Sequence, residues 1–487
     1  MIKALYFFSL GCISAWVTEL PLGGWWLILP LTIFIHSALI SPQPFRYAWL
    51  FGLGYFVSSL WWIYISLHDI GGMVAPLAIF AVFALSAYLA LFLASGLGIT
   101  AKFRNNSLRL WVLAATWTLG EWLRGYLLTG FPWSGIAESQ INGPFYSLAP
   151  LAGGLASCFA TILLAGFITQ INISWLKKII VVSAGLLVAH ALSFLNFTSP
   201  IGEPIQVELV QGNFAQNLKF NPDHIDRQIN FYREAITKSD AQLVVIPETA
   251  FPVSEKTINQ AELKQLAHDK YMMVGVVGVV GVVGDPGKQQ YANSALGLGP
   301  TIDYYRYDKI HLVPFGEFIP LGFKWFVDAM HMPLGDFYRG TPNQPAFPIK
   351  QGDLTINAGA MICYEDAFGD ELAKRQHNTP HHLWINLTNL AWFGNSQASK
   401  QQLRLAQLRS LETGIPSIRA TNTGLTSVIN HRGKVIAQAP EWTQTSLKVA
   451  VQAYQGKTPF IQWQNIPVLV FCLGLLLWAW FRKKNSD

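Results

Sequence analysis

The chain has 487 residues, of which 51% are hydrophobic and only 13% charged, against roughly a quarter charged in an ordinary soluble protein. That length accommodates two or three domains, and the shortage of charge is concentrated in residues 1–200, which excludes a wholly soluble protein. The net charge of +6 does not mark a nucleic-acid surface, because many basic residues flank apolar runs, where they set membrane orientation.

A bilayer core takes about 20 apolar residues as a helix. Candidate spans lie near 4–19, 22–40, 46–67, 73–95, 108–128, 148–171, 176–196 and 464–481. The first lacks a small-residue cleavage site and is followed at once by further spans, so it reads as a span and not as a signal peptide. With the N-terminus in the cytoplasm, the cytoplasmic segments carry Lys3, Arg46, Lys102, Arg104, Arg109, Lys177, Lys178, Arg482, Lys483 and Lys484. The short opposite loops carry Glu19, Asp69, Glu121 and Glu138, with Arg124 as their one basic residue. This asymmetry predicts a multi-pass protein of the bacterial inner membrane with both termini cytoplasmic. The expected division is a domain of seven transmembrane helices (1–196), an extracytoplasmic domain in the periplasm (197–463), and a last helix with a basic tail (464–487). Glu121 and Arg124, three apart, are expected to pair at the membrane interface.

Within 197–463, strands and helices alternate. Ile205–Val210 reads as a buried strand. Asn221-Pro222 opens a helix on which Ile225, Ile229, Tyr232 and Ile236 share a face. Leu243–Ile246 is an apolar strand leading to Pro247-Glu248, and a helix is expected near 257–269. The Val-Gly repeat within Met273–Val283 reads as one buried strand of weakly specified register, since glycine offers no side chain to fix pairing. Strands follow at 301–307, 358–362, 383–386 and 426–430, with a helix over 398–413. The pattern is an α/β domain with several central strands.

Three polar residues stand just beyond strands, where rigid mounting lets side chains converge. They are Glu248, Lys309 and Cys363. A cysteine nucleophile needs a base, which Glu248 supplies. A tetrahedral intermediate needs positive charge, which Lys309 and a backbone N–H beside Cys363 supply. The ordinary roles of such residues are a buried apolar cysteine and solvated charges; their shared placement at strand ends argues for chemistry. Cys363 is the one cysteine of 201–455, so no disulfide forms there, and Cys12, Cys158 and Cys472 lie in apolar spans. His381 and His382 are adjacent and cannot both face one site from a strand, and no Cys/His spacing suits zinc. No metal and no cofactor are expected.

Val-Ile-Pro-Glu-Thr-Ala (245–250), Asp-Lys-Ile-His-Leu-Val-Pro-Phe-Gly-Glu (308–317), Ile-Cys-Tyr-Glu (362–365) and Ala-Trp-Phe-Gly (391–394) resemble the signatures of the nitrilase superfamily. With the spans and the stretch Gly-Glu-Trp-Leu-Arg-Gly-Tyr-Leu-Leu-Thr-Gly-Phe-Pro-Trp (120–133), the chain resembles the apolipoprotein N-acyltransferases. The resemblance implies a polytopic helical membrane domain joined to a nitrilase-like αββα sandwich. It implies Glu248 as general base, Lys309 as stabilising cation and Cys363 as nucleophile of a ping-pong reaction, with Glu317, Glu365 and Tyr364 in support. A phospholipid would donate the acyl chain through a Cys363 thioester, and the N-terminal amine of a diacylglyceryl-cysteine apolipoprotein would accept it. Two departures stand out. Leu390 follows Asn389 where an aspartate is usual, and a histidine usual downstream is missing from Gln397–Gln402. Trp392 and Phe393 are expected to bind substrate. In the apolar connection 317–345, Trp325 and Phe326 are expected to touch lipid, as an arm at the membrane surface would. The alternatives are a membrane-anchored nitrilase-type amide hydrolase and an inactive membrane scaffold.

Overall fold

The computed structural model describes residues 1–103, 107–216, 222–282, 285–322 and 337–484. It divides into one unit of Met1–His68, Met73–Asn196 and Thr458–Asp487, and a second of Asp69–Gly72 and Phe197–Lys457. Trp325 and Phe326 lie outside the described residues.

The first unit is helical. Among the described residues, five helical stretches are long and apolar enough to cross a bilayer: Gly23–Ile40, Ala75–Ala101, Tyr146–Ile168, Trp175–Leu192 and Ile466–Lys484. Ile2–Val17, Pro44–Leu60 and Arg109–Arg124 have 16, 17 and 16 residues, at or just under the lower edge of spanning length. Small residues let backbones touch where apolar burial alone gives helices no reason to associate. A Cβ on Gly11 would lie 2.0 Å from the Phe51 carbonyl oxygen, and one on Gly54 2.1 Å from that of Phe8. Ile2–Val17 and Pro44–Leu60 therefore cross main chain to main chain. Trp175–Leu192, apolar all round, buries only Ala189.

The Glu121–Arg124 pair forms at 2.7 Å, with the Arg124 side chain buried. The reason lies in the chain that follows. Beyond Arg124 it folds back over the helix end, with Phe131 N–H donating to the Arg124 carbonyl at 2.8 Å. The guanidinium then donates to the carbonyls of Phe131 and Trp133, both at 2.8 Å. These acceptors offset the cost of burying the charge.

The second unit is built on two sheets. The first, of seven strands, runs in the order Thr445–Gly456, Thr198–Gln211, Leu243–Val245, Tyr271–Val282, Asp285–Gly299 and Ile302–Asp308, with Phe251–Ser254 paired beside Tyr271–Val282. The second, of six, runs Val435–Gln438, Ser427–Ile429, Ser417–Thr421, Leu383–Thr388, Leu354–Ile362 and Phe347–Gln351. Their facing sides share one apolar core, including Val207, Leu209, Met273, Ile356, Ile385 and Ile418. Helix Pro222–Lys238 covers the outer face of the first sheet through Tyr232 and Ile236, joined there by Leu263 of Gln260–Leu266. Leu372 of helix Gly369–Asn378, and Leu403 and Ala406 of helix Ala398–Thr413, pack outside the second. This is the αββα sandwich of the nitrilase-like fold.

The expected elements are refined in two places. The helix near 257–269 is shorter, Gln260–Leu266, because Glu255–Thr257 forms a separate turn and Asn259 caps the helix through the N–H groups of Ala261 and Glu262. The Val-Gly repeat forms one strand, Tyr271–Val282. It runs antiparallel to Asp285–Gly299 from Met272↔Leu298 to Gly281↔Gln289. That partner strand, full of Gly, Gln, Asn and Ser, was not predicted. Its pairing fixes what the glycines leave open.

Candidate active site

Each candidate sits where a strand hands over to a turn. Ile302–Asp308 ends at Lys309, Leu354–Ile362 ends at Cys363, and Glu248 follows Leu243–Val245 after Ile246-Pro247. Glu248 and Lys309 thus extend from the first sheet and Cys363 from the second. Their side chains converge at the same end of the sandwich.

Lys309 is 1% exposed. Its Nζ lies 2.9 Å from Glu317 Oε1 and 3.6 Å from Glu248 Oε1. Asn293 bridges the same two carboxylates, donating through Nδ2 to both Oε1 atoms at 2.7 Å. The other oxygens are held by main chain: Asn389 N–H donates to Glu248 Oε2 and Val313 N–H to Glu317 Oε2, each at 2.8 Å. Burial works against the Lys309 ammonium, yet Glu317 and Glu248 outweigh it and raise its pKa above the ordinary lysine value. Lysine therefore stays protonated in a buried place.

Cys363 is half-buried and adopts φ +53°. A non-glycine residue with positive φ costs on the order of 1–3 kcal/mol and needs its surroundings to hold it. Here the carbonyl of Cys363 accepts from Gln402 Nε2 at 2.9 Å and Asn386 Nδ2 at 3.3 Å. Burial and Glu248 push the thiol well above its usual range, against the opposing pull of Lys309. At neutral pH the resting group is a thiol, which makes a nearby base necessary.

Glu365 ties the two sheets together at this point. Its Oε1 accepts from Ile310 N–H at 2.6 Å and its Oε2 from Ile362 N–H at 2.6 Å, so one carboxylate fixes the neighbours of both Lys309 and Cys363. Tyr307 also donates to it at 2.9 Å, and Arg375 supports Tyr307 from behind at 3.1 Å. Burial raises the Glu365 pKa, although Arg375 and the main-chain donors oppose this. The ring of Tyr364 packs edge-on against Phe368. Leu390 is buried, and a side chain added at Gly424 would meet it at 3.0 Å. The departure at 390 therefore fills an apolar gap and leaves Asn389 N–H on Glu248. Trp392 is exposed, and it lies with Phe393 in the short turn Ala391–Phe393.

Sequence reasoning missed Asn293, Asn386 and Gln402. For Asn386 a signal existed: it is an uncharged amide inside an apolar strand, Leu383–Thr388, and such groups are kept inside only with partners. Beside Glu248 lies a small polar cleft lined by Gln216, Gln228, Tyr232, Asn389 and Asn422. The converging residues supply a thiol, a carboxylate and a fixed cation, which suits acyl transfer through a covalent intermediate.

Residues 10–167 match the family described as apolipoprotein N-acyltransferase N-terminal domain, and residues 207–459 match carbon-nitrogen hydrolase. A Ralstonia nicotianae protein named apolipoprotein N-acyltransferase is 40% identical over 95% of this chain and 90% of its own length. Proteins of that name from Nitrosomonas europaea and Chromobacterium violaceum are each 37% identical, over 88% and 94% of this chain and 86% and 90% of their own lengths.

Proposed function

Because this chain belongs to the apolipoprotein N-acyltransferase family, and so is an acyltransferase of lipoprotein biosynthesis in a bacterial membrane, we propose how its residues carry the reaction. The amide-hydrolase alternative is not favoured by that membership. Phospholipid is the acyl donor. Cys363 Sγ attacks the ester carbonyl while its proton passes to Glu248. The oxyanion forms against Lys309 and a backbone N–H beside Cys363. As the tetrahedral intermediate collapses, the C–O bond breaks and the leaving alcohol takes the proton from Glu248. A Cys363 thioester and a lysophospholipid result. In the second half, the α-amino group of the diacylglyceryl-cysteine acceptor enters and attacks the thioester. Glu248 takes a proton from nitrogen and returns it to the departing sulfur. The product is an amide, and the thiol is restored.

Glu317 keeps Lys309 charged and in place, and Glu365 fixes the backbone on either side. The observation that carries this reading is the double bridge, by Lys309 and Asn293, between Glu248 and Glu317. A carboxylate held by an ammonium and an amide is positioned to accept and return a proton, and the ammonium remains for the oxyanion. The loop charges support a periplasmic catalytic domain over 197–463, a helical domain over 1–196, a last helix and basic tail over 464–487, and cytoplasmic termini. The test is mass spectrometry of protein incubated with phospholipid alone. A hydroxylamine-sensitive acyl group on Cys363, discharged by a diacylated lipopeptide amine, is expected. Transfer without any adduct would overturn the two-step route.

A further inference from the structure

The missing histidine near Gln397–Gln402 draws attention to what stands in that segment. Gln402, on helix Ala398–Thr413, is 0% exposed. Its Nε2 donates to the Cys363 carbonyl at 2.9 Å and reaches Asp366 Oδ1 at 3.4 Å. Asn386, from strand Leu383–Thr388, makes the matching pair of contacts, 3.3 Å to the same carbonyl and 3.2 Å to Asp366 Oδ2. Asp366 is itself anchored by a buried ion pair with Arg419. The nucleophile's carbonyl is thus claimed by two amide donors from two different elements, both braced against one fixed carboxylate.

Gln402 Oε1 has no hydrogen-bond partner among the described residues. A buried acceptor left unmade costs about 1–3 kcal/mol. Glutamine is therefore a poor choice for stability at this position, and only its N–H side is used. That side meets the one carbonyl whose direction matters most. Cys363 holds φ +53°, and the peptide joining it to Tyr364 is planar and trans, so its C=O and N–H point in opposite directions. Fixing the carbonyl toward the Gln402 and Asn386 amides fixes the N–H of Tyr364 away from them, and fixes the thiol's own Cα as well.

We propose that Gln402 is a positioning residue for the nucleophile, which, with Asn386, holds the Cys363–Tyr364 peptide in the orientation that presents the thiol and the adjacent N–H to the ester carbonyl. This rests on the reading of Cys363 as nucleophile. Gln402 touches neither substrate nor reacting atoms, so its loss should lower the rate of acylation and leave donor binding alone.

The experiment compares the wild-type full chain with Gln402→Met, which keeps length and loses the donor, and Gln402→His, which restores an N–H. Each is reconstituted in phospholipid vesicles, and the rate of acyl-adduct formation on Cys363 is followed by mass spectrometry across donor concentrations, beside thermal unfolding. Gln402→Met is expected to lower the maximal acylation rate about tenfold, the effect of one net hydrogen bond, with half-saturation and unfolding temperature unchanged. Gln402→His is expected to recover most of that loss. A Gln402→Met protein that acylates at the wild-type rate overturns the proposal, as does a Gln402→His protein equally slow. Unfolding of Gln402→Met would assign the residue to stability and overturn it too. Failure of the underlying reading looks different, since the wild type would then form no adduct on Cys363.

Discussion

Gly275 is the position where one methyl group tests the whole placement of the base. It lies in strand Tyr271–Val282, directly beneath the segment that carries Glu248. A Cβ there would meet the Pro247 carbonyl oxygen at 2.5 Å, Thr249 N at 2.5 Å and Glu248 Cα at 2.6 Å, where ordinary contact begins at 3.4 Å. All three are backbone atoms, so no side-chain rotation relieves the clash. The segment must rise by about 1 Å, the distance that restores normal contact. Glu248 is held by bonds of 2.7 and 2.8 Å from Asn293 and Asn389. Lengthening both by that amount takes them past about 3.5 Å, where they cease to be hydrogen bonds. A 1 Å misplacement of a catalytic group costs about 10²-fold. Gly275→Ala should therefore slow acylation of Cys363 by phospholipid about 10²-fold, read as adduct formation over time. Gly278→Ala is the control. Its Cβ would meet the Ser294 hydroxyl at 2.1 Å and Arg306 Nη2 at 2.6 Å, side-chain ends that can move, so a much smaller loss is expected. A folded Gly275→Ala protein that acylates at the wild-type rate would refute the reasoning.

Cys363→Ala should abolish both the adduct and transfer; an active variant removes the nucleophile. Glu248→Gln and Lys309→Met should each reduce turnover by about 10²-fold, yet move simple alkylation of Cys363 by iodoacetamide in opposite directions. Glu248 pushes the thiol pKa up and Lys309 pulls it down, so the alkylation pH profile should shift to lower pH in Glu248→Gln and to higher pH in Lys309→Met; parallel shifts would contradict the charge assignment. For orientation, a cysteine at exposed Thr237 should react with an impermeant maleimide in intact spheroplasts, and one at exposed Ser107 only after lysis. The reverse pattern would invert the topology.

What the sequence made legible follows from the physics of each signal. Apolar runs such as Leu243–Val245 and Leu383–Thr388 are buried on both faces, so composition alone announces them as strands. Glu248 and Cys363 follow apolar strands, Lys309 follows the mixed strand Ile302–Asp308, and the family motifs surround them. Asp285–Gly299 was invisible, because its Gly, Asn, Gln and Ser residues read as loop; its strand character comes from a partner, not from its own propensity. Asn293 lies in that strand and was lost with it. The burial of Arg124 was not legible, because its acceptors, the Phe131 and Trp133 carbonyls, come from a chain reversal that no periodicity encodes. Gln402 showed only as an absent histidine, and what it does depends on the positive φ of Cys363, a backbone property without a residue-type signature outside glycine.

The charges around the thiol explain why one lysine is matched with two carboxylates. Reactive cysteines commonly sit in electropositive surroundings that maintain a thiolate. Cys363 does not, since burial and Glu248 keep it protonated despite Lys309. On the proposed mechanism, the proton must leave during attack and return at each collapse, so Glu248 needs to be free to change its charge. If Lys309 relied on Glu248 alone, it would lose its counter-charge at the moment the oxyanion forms. Glu317, nearer at 2.9 Å against 3.6 Å, removes that dependence. It keeps the ammonium protonated through both half-reactions, so Lys309 stabilises negative charge without surrendering its own proton. Asn293, neutral throughout, holds the two carboxylates in register. The site thus separates proton transfer from charge stabilisation, and a thiol that stays neutral between turnovers becomes a nucleophile only when an acyl carbonyl is there to receive it.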